Sequence, residues 1–534
     1  MASDYHEYEE ARKRLTIREK IGQSFMPAAY INDAEEEISK LENCIAEYGI
    51  GGICFFHSRA SAATNFEGPR EVIYNENSLE VLKKLISRYQ KAAKYPLLIS
   101  IDAEWGLAMR IENTPQYPYA LTLGAMQDQA ELVFQVGRNI GLDCREAGIH
   151  WNFAPVVDIN NDPNNPVIGY RSFGENPAKV TRYGTAFFKG LKSSGILSSA
   201  KHFPGHGDTS TDSHLGLPVI DKSKEELYSN ELKPFIELSK QGIESVMVGH
   251  LAVPALSSGQ IEASTISNAI INGFLRKELN FDGVVVSDAL NMHAVSKNLQ
   301  YKGELEWRAY SAGVDVLCYT LNVEEGINAI EKRGDKKLIE ERFKRVWDLK
   351  KRAMRPPGPK DLTPSILRKS LMIRLAEESL SLVKGEENYL NFFRQSPFAG
   401  LTIGTERDKN FTKHINKVHP FECFNYPASI SAELEELAGS KQLLLALYPP
   451  SMKPANNFGL SNTELKMIDK LCNQMEVVLY VFGNPYVLNC LPLEKFKSVW
   501  SVFQDFPEFE ENAARHFLGK SETRGVLPVT IKTS

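Results

Sequence analysis

Short apolar runs rich in β-branched and aromatic residues alternate with amphipathic stretches along the first two thirds of the chain. In stretches such as 128–148 and 223–241, apolar residues recur at i, i+3, i+4 and i+7, which predicts helices. The eight apolar runs are predicted strands at 22–26, 51–56, 97–101, 150–159, 196–203, 245–250, 283–288 and 314–319. Eight strands that alternate with helices predict an α/β fold of the (β/α)8 barrel type. The alternative is a doubly wound open sheet, although no GxGxxG follows the first strand.

A second α/β pattern follows the Pro-rich stretch MRPPGPKDL. We therefore predict a barrel over 1–353, a linker over 354–364 and a smaller domain over 365–534. The predicted strands of this smaller domain lie at 379–383, 400–404, 442–448, 476–483 and 498–503. They are interleaved with helical stretches such as 463–474, which predicts an open sheet of five or six strands. This domain contains no cluster of titratable groups, so we expect it to have a structural role or to border the active site.

Composition narrows the classes of protein. A chain of 534 residues with 43% hydrophobic content can fill two globular cores. The net charge of −5 is spread along the chain and there is no basic block, so we do not expect nucleic acid as a partner. The seven cysteines are scattered without CxxC spacing, which argues against a disulfide framework or a zinc ribbon.

The sequence indicates no membrane segment. The first residues, MASDYHEYEEARKR, lack the apolar region of a secretory signal, and nowhere do eighteen apolar residues run together. The chain as given is expected to be cytoplasmic, or periplasmic or secreted if the natural protein carries a leader ahead of it.

Titratable residues follow the predicted strands at their carboxyl ends, where barrel enzymes carry out their chemistry. They are Asp102, Asp158, Lys201, His202, His250 and Asp288. The fifth strand leads into KHFPGHGDTSTDSH (201–214), which holds a lysine, three histidines and two aspartates in a segment too rich in Gly and Pro for a regular helix. Charged groups at the rim of an apolar barrel cost free energy unless they are partnered, so this convergence indicates an active site.

These residues also carry a resemblance. The run KHFPGHGDTSTDSHLGLP (201–218) resembles the signature of glycoside hydrolase family 3, specifically its bacterial β-N-acetylglucosaminidase branch. Further blocks match the family in the family's order: 17–25, 101–110, 152–159, 169–177, 246–256 and 281–292. Segments 375–384 and 519–531 are similar to parts of the C-terminal domain of longer members.

The resemblance implies a retaining, exo-acting β-N-acetylglucosaminidase without a cofactor or a metal. Asp288 matches the nucleophile that forms a covalent glycosyl-enzyme. The general acid/base is similar to a His–Asp dyad, here His214 oriented by Asp212. This pairing is chemically sensible, because imidazole titrates near neutral pH and a neighbouring carboxylate fixes its tautomer. The dyad is expected to reach the site by closure of its loop.

The resemblance also implies a set of sugar-binding residues. Asp102 matches the carboxylate that accepts hydrogen bonds from hydroxyls at the non-reducing end. The other implied contacts are Arg110, Arg171, Lys201, His202 and His206, with Asp208 nearby. For Arg110, orienting Asp102 is an equally weighted alternative to direct contact. A departure from the branch is Trp105, where a Gly-Gly pair is common; it either packs on the rim or narrows specificity.

Several other functions stay open on the sequence. His206, Asp208, Asp212 and His214 have the ligand types of a metal site, which would make the protein a metal-dependent barrel hydrolase. A histidine acid/base does not repel phosphate, so a phosphorylase is chemically allowed. A β-glucosidase, a β-xylosidase and a non-catalytic sugar-binding protein are further alternatives. The partner in every enzyme case is a small-molecule or oligosaccharide substrate, whose aglycone the sequence does not identify.

Overall fold

The computed structural model describes residues 7–57, 74–209, 216–296, 301–355, 366–404, 409–426 and 440–532. They form two compact units. The first comprises 1–117, 133–159 and 181–365, and the second comprises 118–132, 160–180 and 366–534. The second unit thus includes two segments that precede the predicted linker in the sequence.

The first unit is built on parallel strands. They are β1 Phe25–Met26, β2 Ala28–Tyr30, β3 Gly52–Phe56, β4 Leu98–Ile101, β5 Trp151–Asn152, β6 Leu197–Phe203, β7 Ser245–Val248, β8 Val284–Ser287 and β9 Leu317–Cys318. Strands β2 to β8 form one sheet in sequence order, and β1 pairs with β9. A bridge between Val286 and Val316 joins β8 to the β9 segment. Since only Pro27 separates β1 from β2, the strands close into a ring, and the predicted barrel is confirmed.

Burial explains why these short runs are strands. Every residue of β3, β4, β6, β7 and β8 is buried, as expected for parallel strands covered on both faces. One set of side chains fills the barrel core, with Met26, Leu98, Trp151, Met247 and Val286 among its members. The barrel interior is therefore packed with side chains and is not an open pore.

Amphipathic helices surround the ring and carry its connections. Their ranges are Tyr8–Arg14, Ile17–Gly22, Glu35–Tyr48, Ser78–Ala92, Ala130–Glu146, Pro177–Ser193, Lys224–Ser229, Leu232–Lys240, Ala269–Glu278, His293–Ser296, Glu304–Ala312, Val323–Arg333 and Lys336–Ala353. Short 3₁₀ turns lie at Leu107–Met109, Pro254–Leu256 and Ser264–Ile266. Within the described ranges, none of the chain's helices combines the length and the apolar character that crossing a bilayer requires.

The second unit contains an open, mostly parallel sheet of six described strands. They are β10 Ser381–Lys384, β11 Ala399–Ile403, β12 Cys423–Asn425, β13 Gln442–Leu447, β14 Glu476–Val481 and β15 Ser498–Ser501. Their order is β10-β15-β14-β13-β11-β12, and β10 is antiparallel to β15. The helices of this unit are Ala120–Ala125, Arg368–Ser379, Tyr389–Phe393, Asn410–Asn416, Ala455–Phe458, Asn462–Gln474 and Pro507–Phe517, with 3₁₀ turns at Gly169–Arg171, Pro485–Cys490 and Leu493–Lys495. The predicted smaller α/β open-sheet domain is confirmed.

Candidate active site

The carboxyl ends of the barrel strands carry most of the residues that the sequence singles out. Asp102 follows β4 directly, Lys201 and His202 are among the last residues of β6, and Asp288 follows β8 directly. Parallel strands in a closed barrel present these ends on one face.

Asp102 accepts hydrogen bonds from two cationic side chains. Lys201 Nζ lies 2.8 Å from Oδ1, and Arg110 Nη2 lies 2.8 Å from Oδ2. Lys201 is only 2% exposed and also pairs with Glu104, at 2.7 Å between Nζ and Oε1. Burial by itself would raise the pKa of Asp102, but the charges of Lys201 and Arg110 outweigh it and hold this pKa well below its ordinary value. Asp102 is therefore an ionised acceptor with a fixed orientation.

Asp158 organises the two histidines that follow β6. The Val156–Lys201 bridge brings the chain after β5 alongside β6. Asp158 then accepts from the backbone N–H of His206 at 2.7 Å and contacts His202 Nδ1 at 2.8 Å. Burial would raise the pKa of Asp158, but His202 and the bonds from His206 lower it. The carboxylate thus fixes the His202 ring while it remains charged.

His206 is 1% exposed, and its Nδ1 lies 2.7 Å from Thr209 Oγ1. Burial, with the neighbouring His202, lowers the pKa of His206 from 6.5 to about 4. The negative charges of Asp158 and Asp288 act in the opposite direction. At neutral pH His206 is an uncharged, buried support of the loop.

Asp288 and His250 meet at the ends of β7 and β8. The backbone N–H of Asp288 donates to Val248 O at 3.0 Å, and its Oδ1 accepts from the N–H of Ala289 at 2.8 Å. His250 is fully buried between Thr265 Oγ1, at 2.7 Å from Nδ1, and Ala289 O, at 2.9 Å from Nε2. His250 therefore holds the backbone next to Asp288, while the Asp288 side chain stays half-buried.

The remaining predicted residues lie in different surroundings. The Asp208 carboxylate pairs with Lys222, which also reaches Glu231. Arg171 belongs to the second unit, where its Nη1 donates to Val167 O at 3.0 Å. Asp212 and His214 fall outside the described residues, so the predicted dyad has no geometry here.

Trp105 is half-buried, and its carbonyl accepts from the N–H of Tyr117 at 2.8 Å. Among the described residues, no group of three or more His, Cys, Asp or Glu side chains is arranged to hold a metal ion. Asp208, one of the metal ligands considered from the sequence, is instead engaged by a lysine.

Sequence reasoning missed some residues that hold the site. Glu104 gives Lys201 a second carboxylate, and Thr265 and the Ala289 carbonyl fix His250. Glu104 could have been found, since it lies two residues after Asp102 and so returns to the same side of an extended chain. Thr265 carried no signal, because it is a hydroxyl residue in a loop after β7.

A family model and several curated proteins are similar to the barrel region of this chain. The glycosyl hydrolase family 3 N-terminal domain matches residues 16–349. Beta-hexosaminidase A of Pseudoalteromonas piscicida is 33% identical over 349 residues, which cover 62% of this chain and 55% of that protein. Beta-hexosaminidase LpqI of Mycobacterium tuberculosis is 37% identical over 236 residues, covering 43% of this chain and 60% of that protein. The matched region thus spans little more than half the length of each of these two relatives.

A solved structure extends the likeness to both units. The glycoside hydrolase family 3 beta-N-acetylglucosaminidase of Paenibacillus sp. str. FPU-7 is similar with a TM-score of 0.78 at 28% identity, over 97% of this chain and all of that one. The family domain covers more than half of the present chain and coincides with its barrel strands. The chain therefore belongs to glycosyl hydrolase family 3.

Proposed function

We propose that the protein hydrolyses terminal, non-reducing β-linked N-acetylglucosamine by a retaining mechanism with Asp288 as the nucleophile. The observation that carries the proposal is the position of Asp288 at the carboxyl end of β8. There one carboxylate oxygen is fixed by the Ala289 N–H, and the side chain is half-buried. A nucleophilic carboxylate needs such an anchored yet accessible position.

The reaction has two steps that balance without a cofactor. An Asp288 oxygen forms a bond to the anomeric carbon while the bond to the leaving oxygen breaks, and an acid protonates that oxygen. Water then attacks the glycosyl-enzyme, loses its proton to the same group now acting as a base, and releases the carboxylate. We assign the acid/base role to His214 with Asp212 on the family pattern of DSH.

The substrate-binding part of the proposal uses the charged network around Asp102. Its carboxylate is ionised and oriented, so it can accept from sugar hydroxyls, while Lys201 and Arg110 can donate to them. A hydrogen bond to a charged group contributes about 1.5–3 kcal/mol, which is enough to select among sugar stereoisomers. We assign His202 to a further hydroxyl on the family pattern.

Relatives support the acetamido sugar as the substrate. The solved neighbour at 28% identity is a β-N-acetylglucosaminidase, and the two curated relatives are β-hexosaminidases. We therefore expect 4-nitrophenyl N-acetyl-β-glucosaminide to be turned over with a higher kcat/KM than the corresponding glucoside or xyloside. A higher value for glucose or xylose would reassign the sugar and leave the chemistry in place.

The test of the nucleophile is Asp288→Ala, with Asp282→Ala as the matched control. Asp282 is exposed and precedes the amino end of the same strand, so its loss leaves the proposed chemistry intact. We expect kcat to fall at least about a thousandfold in Asp288→Ala and to stay near the wild-type value in Asp282→Ala, with both circular dichroism spectra unchanged. Turnover by Asp288→Ala above a tenth of the wild-type rate would contradict the assignment.

A further inference from the structure

Arg110 is held less completely than its partner Lys201. Lys201 lies between two carboxylates, at 2.8 Å and 2.7 Å. Arg110 follows the short 3₁₀ turn Leu107–Met109, and among the described residues it makes one ion pair, from Nη2 to Asp102. Its Nε is buried and has no hydrogen-bond partner within the described part of the chain. A long side chain with a single polar anchor loses more conformational entropy on binding unless something else fixes it.

The ring of Phe56 lies under this guanidinium. Arg110 Cζ is 5.0 Å from the ring centroid, within the range of a cation–π contact. Phe56 is 8% exposed as a residue, and its ring packs against Tyr319 and Tyr30, with centroids 5.1 Å and 6.2 Å away. Phe56 is thus a rigid platform at the carboxyl end of β3.

The next residue fastens the backbone near Arg110. His57 Nε2 contacts Glu112 Oε1, which also accepts from the N–H of Asn75 at 3.0 Å. Ser78 Oγ donates to the Glu112 carbonyl at 3.3 Å. Residue 112, two positions after Arg110, is therefore held by contacts to both its side chain and its carbonyl.

We infer that Phe56 is a positioning residue, which holds the Arg110 guanidinium so that Asp102 and Arg110 together bind the hydroxyls at the non-reducing end of the sugar. This inference rests on the proposed function. It assigns to β3 a part in substrate recognition that the apolar sequence of this strand does not indicate. Phe56 acts through Arg110 and does not itself touch the reacting atoms.

The competing interpretation is that Phe56 only fills the barrel core. Phe56→Leu should lower the free energy of unfolding under both interpretations, so a stability measurement does not distinguish them. They differ in a double-mutant cycle with Arg110→Ala. A positioning role requires that the kinetic effect of Phe56→Leu depends on Arg110, whereas core packing acts whether or not that arginine is present.

The experiment measures kcat and KM for the wild type, Phe56→Leu, Arg110→Ala and the double variant on the aryl glycoside that the wild type turns over best. We expect Phe56→Leu to lower kcat/KM about three- to tenfold, mainly through KM, which is the range of one cation–π contact. In the Arg110→Ala background the same substitution should change kcat/KM less than about twofold. Phe55→Leu is the matched control, since this neighbour is buried on the same strand against Tyr89 and should leave kcat/KM unchanged.

Each outcome decides between the interpretations. Equal losses in both backgrounds, or no loss in the wild-type background, overturn the inference while the proposed function stands. Absence of turnover of every aryl glycoside by the wild type overturns the proposed function and the inference with it. Phe56→Met, which keeps the apolar volume without an aromatic face, replaces Phe56→Leu if that variant does not fold.

Discussion

Replacing Lys201 by methionine tests the charged network at the carboxyl ends of β4 and β6. The substitution keeps the length of the side chain and removes the cation that lies 2.8 Å from Asp102 and 2.7 Å from Glu104. Since Lys201 is 2% exposed, water does not replace the lost charge. Breaking a buried pair by removal of one partner costs about 3–5 kcal/mol, and we expect the free energy of unfolding at pH 7 to fall by that amount.

Lys201→Met should also lower kcat/KM, in addition to its effect on stability. A charge-assisted donor contributes about 1.5–3 kcal/mol to sugar binding, which corresponds to a loss in kcat/KM of about 10- to 150-fold. The control is Lys344→Met, because Lys344 is 57% exposed and lies 2.7 Å from Asp348, which is itself 39% exposed. An exposed pair of this kind contributes about 0–1 kcal/mol, and the control should keep full activity.

The loss of stability in Lys201→Met should depend on pH through the ionisation of Asp102. In the wild type the pKa of Asp102 lies below its ordinary value of 3.8, so its contribution to stability is fully present above pH 3.8 and is lost as the pH falls through the folded-state pKa. In Lys201→Met, burial raises this pKa and only Arg110 opposes it. The difference in unfolding free energy between wild type and variant should therefore be largest near neutral pH and shrink below about pH 4.

Urea unfolding at several pH values and steady-state kinetics on 4-nitrophenyl N-acetyl-β-glucosaminide measure both quantities. A Lys201→Met protein with wild-type stability and wild-type kcat/KM would refute the reasoning. So would a stability gap that widens as the pH falls.

The other predictions concern the acid/base, the buried histidine and the acceptor. His214→Ala should lose less activity on a substrate with a 4-nitrophenolate leaving group than on a natural glycan, because the poorer leaving group needs protonation more; equal losses in the two assays would count against the acid role. The pKa of His206 is about 4 in the folded state and near 6.5 when unfolded, so stability should fall by up to about 3 kcal/mol between pH 6.5 and pH 4. Urea unfolding should show a shallower fall in His206→Gln, and an unchanged slope would show that this histidine does not titrate as described. Added phosphate should leave the rate and the products unchanged, and formation of a sugar 1-phosphate would identify a phosphorylase instead.

The barrel strands could be predicted because a parallel strand that is buried on both faces has a continuous apolar sequence. All eight predicted runs of the barrel region contain a strand, as do the five predicted runs of the second domain. Two strands were missed, Ala28–Tyr30 and Cys423–Asn425. The first continues the apolar run of β1 across Pro27, a residue that argues against a central strand. The second is only three residues long and half-buried along its length.

The division into units was harder to read from sequence. Segments 118–132 and 160–180 belong to the second unit, although they lie far before the Pro-rich stretch. Their anchors are distant in sequence: Thr122 Oγ1 accepts from Gln504 Nε2 at 2.7 Å, and Tyr486 OH accepts from Asn160 Nδ2 at 3.0 Å. Contacts over such separations leave no periodic trace in the chain.

The candidate site shows the same distinction. The strand ends and the family blocks are enough to identify Asp102, Lys201 and Asp288 from the sequence. The contact between Phe56 and Arg110 could not be read in this way, since the two residues are separated by a helix and by β4. The local sequence pattern predicts which residues lie at a strand end. Which of those residues contact one another depends on the closed barrel.

The most direct test of a nucleophilic Asp288 is to trap the covalent intermediate. A 5-fluoro N-acetyl-β-glucosaminide with a 2,4-dinitrophenolate leaving group slows both steps but keeps the first fast enough for the glycosyl-enzyme to accumulate. Mass spectrometry of a proteolytic digest should then find the sugar on the peptide that contains Asp288, esterified to that carboxylate. A sugar attached to any other residue, or no adduct together with an inverted anomeric product, would contradict the account.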